Sequence, residues 1–102
     1  MKASCKQFLA EQFNGDEEVI QDIYKEYVAS MIEKTADIAS AAANGEWERL
    51  DGLAHTVKGN ALVAGDNDTA ETAIALRSAA RLREEAEIRR LVARLRELAA
   101  EL

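Results

Sequence analysis

Residues 46–65 read EWERLDGLAHTVKGNALVAG. Laid on a helix at about 100° per residue, Leu50, Leu53, Val57, Ala61 and Ala64 gather on one side as a core stripe. The opposite side carries Glu48, Asp51, Gly52, His55, Lys58, Gly59 and Leu62, with Asp66 just beyond. A helix apolar on one face must bury that face against others of its kind.

The rest of the chain supplies them. Asn14-Gly15-Asp16 is a turn with a good N-cap, and from Asp16 apolar residues recur at helical spacing. The series is Val19/Ile20, Ile23/Tyr24, Tyr27/Val28, Met31/Ile32, Ile38/Ala39 and Ala42/Ala43. Asn44-Gly45 ends this helix, which is about 40 Å long at 1.5 Å per residue. The histidine helix runs from Glu46 to Ala64. Gly65-Asp66-Asn67-Asp68 breaks the chain again, with Asp66, Asn67 or Asp68 as the next cap. A third long helix over Thr69–Arg83 places Ala73, Leu76 and Ala80 on one face. A turn near Arg83–Glu85 leads to a last one with Ile88, Leu91/Val92, Leu95, Leu98/Ala99 and Leu102. Short connections make sequential helices antiparallel, so residues 1–102 should form one all-α domain, an up-down-up-down four-helix bundle. A short N-terminal helix should pack Phe8 and Phe13 over one end.

Composition agrees and narrows the function. The 102 residues include no proline and five glycines, and the net charge is −6. Through Asp51 five basic residues face eleven acidic ones, while after it eight of each balance. An acidic chain without a basic block is a poor partner for nucleic acid or an anionic membrane. The arginines from Arg77 to Arg96 alternate with Glu84, Glu85 and Glu87 and read as a solvated face. One cysteine, Cys5, excludes an internal disulfide and fits a reducing, cytoplasmic compartment. There is no signal-peptide h-region and no apolar run of membrane-spanning length. A single His and a single Cys far apart leave no zinc site, and neither a phosphate-binding glycine loop nor a nucleophile elbow occurs.

His55 is what remains. Histidine alone has an unperturbed pKa between 5 and 8, so a neutral, nucleophilic imidazole is available near neutrality. A lone histidine on a helix is by default a surface residue, and its neighbours argue for more. Lys58, one turn on, can contact an anion carried by the imidazole. Gly52 and Gly59 lie inside the helix on the same side, and each costs about 0.8–1 kcal/mol relative to alanine. Gly59 lets another protein's surface approach closely. Gly52 does the same or eases packing against a neighbouring helix. Leu62 suits either docking or covering a neighbour. Trp47 should anchor the start of the helix, and Asn60, at the edge of the stripe, needs a hydrogen-bond partner if buried.

Ala54-His55-Thr56-Val57-Lys58-Gly59, followed by Gly65, resembles the motif of histidine-containing phosphotransfer (HPt) domains of two-component phosphorelays: histidine, lysine at plus three, glycines at plus four and plus ten. The likeness extends to the Asn14-Gly15-Asp16 and Asn44-Gly45-Glu46 turns and to the chain length. Three positions depart from the pattern. Asn60 replaces a small serine or alanine, Asp66 a frequent alanine, and Arg77 a common glutamate.

The resemblance implies that His55 accepts a phosphoryl group from an aspartyl phosphate on a response-regulator receiver and passes it to another. Lys58 would stabilise phosphoryl charge. Gly59, Gly52, Leu62 and Asp66 would form the docking face, with Asp66 tuning partner choice by repulsion. It implies a phosphoryl carrier, not an enzyme, with no cofactor of its own, since the receiver brings Mg²⁺. Partners would be receivers and a hybrid sensor kinase, the simplest state being a monomer. Two alternatives stand beside it: a helical adaptor that is never phosphorylated, and the phosphoaccepting domain of a larger sensor kinase.

Overall fold

The computed structural model describes residues 1–102 and is entirely helical. Five helices follow in order: α1 (Ala3–Gln12), α2 (Glu17–Ala43), α3 (Trp47–Ala64), α4 (Asn67–Leu82) and α5 (Glu85–Ala100). Helices α2 to α5 form an antiparallel four-helix bundle in which each packs on the next and α5 closes back on α2. The bundle is 42 Å long and 19 Å across, so its length is that of α2. Short α1 lies against α2 and α3.

The chain's punctuation explains the boundaries. Asp16 caps α2 by accepting from the Val19 amide at 3.3 Å. Gly45 and Gly65 take left-handed φ values of +66° and +73°, the conformation that stops a helix most readily at glycine. Arg83 ends α4 with φ +54°, unusual for a residue with a side chain. Of the three candidate caps for α4, Asp66 is the one used, and α4 starts two residues earlier than the spacing alone indicates.

One apolar cluster joins all five helices. On α3 the buried residues are Leu50, Ala54, Val57, Ala61 and Ala64. Leu53, expected in the stripe, is only half-buried, whereas Ala54 is fully enclosed. The buried face is therefore turned toward Ala54. Ala73, Leu76 and Ala80 of α4 and Ile88, Leu91, Val92, Leu95 and Leu98 of α5 are buried as expected. At the N-terminus Phe8 packs against the core, but Phe13 is exposed; Cys5 and Leu9 are the α1 residues that are buried. Asn60 meets its need for a partner by donating to Ser30 Oγ at 3.0 Å.

Candidate functional site

His55 is exposed in the middle of α3, opposite the buried stripe. Gly52 lies three residues before it and Gly59 four after, so both flank the imidazole on the helix surface. Both are exposed, and a Cβ built on either would meet nothing within 4 Å. Gly52 is thus not there to fit a neighbouring helix. Neither glycine is required by the packing of this chain. Leu62, on the same face, is 50 % exposed, so it does not cover a neighbour either.

On the other flank stands α4. Arg77 Nη1 lies 3.1 Å from His55 Nδ1, while its Nε donates to Asp51 Oδ1 at 2.8 Å. Arg81 Nε reaches the other carboxylate oxygen at 3.4 Å. The hydrogen bond from Arg77, with the charges of Arg77 and Arg81, holds the Asp51 carboxyl below the usual carboxylate range, so it is ionised at neutral pH. Lys58 is half-buried, and with Ile74, Arg77, Ser78, Arg81 and Leu82 it lines a groove of about 470 Å³ beside the imidazole. Ile74 and Leu82 expose about half or more of their surface there. The imidazole therefore has an open, glycine-lined flank and a cationic one with apolar edges.

Asp66 is not part of this face. Its side chain has no exposure at all. It accepts from Lys2 Nζ at 2.6 Å, Tyr27 Oη at 2.7 Å and Thr69 Oγ1 at 2.8 Å, and it caps α4. Burial by itself would raise its pKa, but the hydrogen bonds from Lys2, Tyr27 and Thr69 outweigh that and hold it low. Burial and the adjacent carboxylate push the Tyr27 hydroxyl well above its ordinary value, so it stays a neutral donor. The expectation that Asp66 belongs to the docking face is therefore not met. As the cap of α4 it turns inward, beneath α1.

Gly65 has an internal reason as well. Besides its left-handed φ, a Cβ there would collide with the Phe8 ring of α1. The four motif positions therefore divide into a surface group, exposed His55 and Gly59 with half-buried Lys58, and a structural glycine that ends α3. The residues missed from the sequence are Asp51 and Arg77. Arg77 is not on a solvated face, since its side chain is 22 % exposed and bound to Asp51. Two signals were available: Asp51 falls on the His55 side of the helix wheel, and Arg77 is a cation at a position where the family commonly has glutamate.

No cluster of three or more His, Cys, Asp or Glu side chains could hold a metal ion, and no helix is long and apolar enough to cross a membrane. No curated protein and no solved structure matches the chain. The family model for the Hpt domain matches residues 22–102, from the first turns of α2 to the end of α5. That span covers the whole of α3, α4 and α5 and all but the first five residues of α2. The chain belongs to the Hpt domain family, the phosphocarriers that work with receiver domains and kinases, and its role is histidine phosphotransfer in a phosphorelay.

Proposed function

We propose that His55 is the phosphoacceptor, taking the phosphoryl group from a receiver aspartyl phosphate and delivering it to a second receiver. The observation that supports this most directly is the pair of helix-interior glycines beside an exposed imidazole. Together Gly52 and Gly59 cost about 2 kcal/mol of helix propensity, and no contact within the chain needs either one. An approaching surface would need both. Lys58 takes part in none of the protein's salt bridges, so its ammonium is available to phosphoryl oxygens. The receiver supplies Mg²⁺ and the acidic pocket. Leu62 contributes apolar area to the docking face, and the cationic flank of Lys58, Arg77 and Arg81 complements the receiver's acidic site. The protein would act as a cytoplasmic monomer that hydrolyses and synthesises nothing alone.

Incubation with a phosphorylated receiver should give an acid-labile, base-stable phosphate that disappears in His55→Gln. Persistence of the label in that variant would place the phosphoacceptor elsewhere. Gly59→Leu should keep its helicity yet transfer at least about tenfold more slowly, because the added side chain holds the partner off. Unchanged transfer would contradict the close approach. An adaptor that is never phosphorylated would bind a partner with His55→Gln as well as without it, and carry no label.

A further inference from the structure

Arginine carries only hydrogen-bond donors and stays protonated in proteins. The 3.1 Å contact between Arg77 Nη1 and His55 Nδ1 therefore has one direction: Arg77 donates and Nδ1 accepts. An accepting Nδ1 keeps its lone pair, so in the neutral ring the proton sits on Nε2. The guanidinium is fixed from behind by Asp51, which Arg81 also holds. Arg77 is the charged group in contact with the ring, and the charges grouped around Arg77 are Asp51 on α3, Arg81 on α4 and, in the adjoining groove, Lys58 on α3. On the remaining flank α2 meets α3 through Ser30 and Asn60 and through Asp37, which faces Arg49 at 3.9 Å. The ring's hydrogen-bond partner is a cation, not a carboxylate.

We propose that Arg77 is a positioning residue that keeps His55 Nδ1 unprotonated and so makes the phosphorylated imidazole slow to give up its phosphoryl group. The proposal rests on His55 as the phosphoacceptor. Arg77 occupies the Nδ1 side of the ring, which leaves Nε2 as the attacking nitrogen, and the Nε2 lone pair is free only in the tautomer with the proton on Nδ1. In that tautomer two N–H groups would face each other, so the guanidinium must swing aside. As the Nε2 lone pair forms the N–P bond, the P–O bond of the aspartyl phosphate breaks and its electron pair returns to the carboxylate. The ring then sheds its Nδ1 proton to water. The neutral phosphoimidazole has a bare Nδ1, to which Arg77 donates as it does in the resting protein.

Loss of the phosphoryl group reverses this order. The N–P bond breaks readily once Nδ1 is protonated, because the leaving group is then neutral imidazole and not its anion. A guanidinium bonded to Nδ1 opposes that protonation. Arg77 thus fits the resting ring and the phosphorylated ring but not the protonated form between them. The consequence is a phosphoryl store that opens when a partner moves the arginine.

Imidazole ¹⁵N resonances test the contact in unphosphorylated protein. At a pH where the ring is neutral, wild-type His55 should show a bare Nδ1 and a protonated Nε2. Arg77→Glu, which sets an acceptor against Nδ1, should exchange the two. Phosphorylation with phosphoramidate, in the absence of any receiver, then isolates the lifetime. Phospho-His55 should hydrolyse about tenfold faster in Arg77→Glu, the ratio carried by one hydrogen bond involving a charged group. Arg77→Lys, which retains a donor, should stay within about twofold of wild type. Arg77→Leu removes the donor without adding a charge beside Asp51, and about threefold faster loss is expected even if the glutamate variant folds poorly. A proton on Nδ1 in the wild type, or a wild-type lifetime in both Arg77→Glu and Arg77→Leu, overturns the proposal. Failure of a phosphorylated receiver to label His55 would instead overturn the phosphoacceptor reading, since the resonances need neither receiver nor phosphate.

Discussion

Asp51 and Asp66 stand near the two ends of α3, and each carboxylate is held ionised by a cation from another helix or its edge. Asp51 is paired with Arg77 and Arg81 of α4 at the rim of the imidazole, with 26 % of its side chain exposed. Asp66 is sealed beneath Lys2, Tyr27 and Thr69 with none exposed. The chemistry is similar and the consequences differ. A buried carboxylate that loses its partners keeps no water to replace them, so its cluster governs the fold. A partly exposed pair contributes little to stability, and what it can do is orient a neighbour. The end of α3 at Asp66 is structural, and the turn carrying Asp51 serves the site.

The largest effect expected from breaking this contrast is on folding. Asp66→Ala removes the α4 cap and strands the Tyr27 and Thr69 hydroxyls. It should cost about 3 kcal/mol, read by urea unfolding. A loss below about 1 kcal/mol would show that the buried cluster does not hold α1 and α4 in place.

Next comes pH. The lowered Asp66 value makes its contribution fully present above the ordinary carboxyl value of 3.8, and that contribution is lost as pH falls through the lower folded value. Lys2 shifts upward: burial opposes its charge, and the hydrogen bond and attraction of Asp66 outweigh it. Its contribution is fully present below 10.5 and is lost as pH rises through the higher folded value. Thermal melting should therefore be flat between these limits as far as this pair is concerned. Asp66→Asn should weaken the acid-side dependence, and an unaltered acid limb would detach Asp66 from it.

The smallest stability effect belongs to Asp51→Asn, within about 1 kcal/mol of wild type. Its readout is elsewhere: Arg77 loses its anchor, and the His55 imidazole resonances should move while helicity does not. An Asp51 variant as unstable as Asp66→Ala would erase the distinction between the two regions.

Much of the molecule was legible before any coordinates. Helix extents followed from apolar spacing, and Asp16, Gly45 and Gly65 act where their residue types indicate. His55 emerged on the exposed face because a wheel needs only the apolar stripe opposite it. At Gly52 only the tertiary structure separates the two roles, since a glycine in the sequence does not say whether a neighbour or open space lies beyond it. Asp66 misled because the wheel continued α3 past its own end. Once Gly65 turns the chain, angles counted from His55 no longer apply.

The sequence by itself determined the four long helices, the exposure of His55 and the Lys58-Gly59 neighbourhood, because each depends on residues within a few turns of one helix. Only the tertiary structure decided that Arg77 meets His55 across 22 positions and that Lys2 meets Asp66 across 64. Helical periodicity encodes which face of a helix is buried. It does not encode how one helix is rotated and shifted against the next, and that register selects the groups that touch the imidazole.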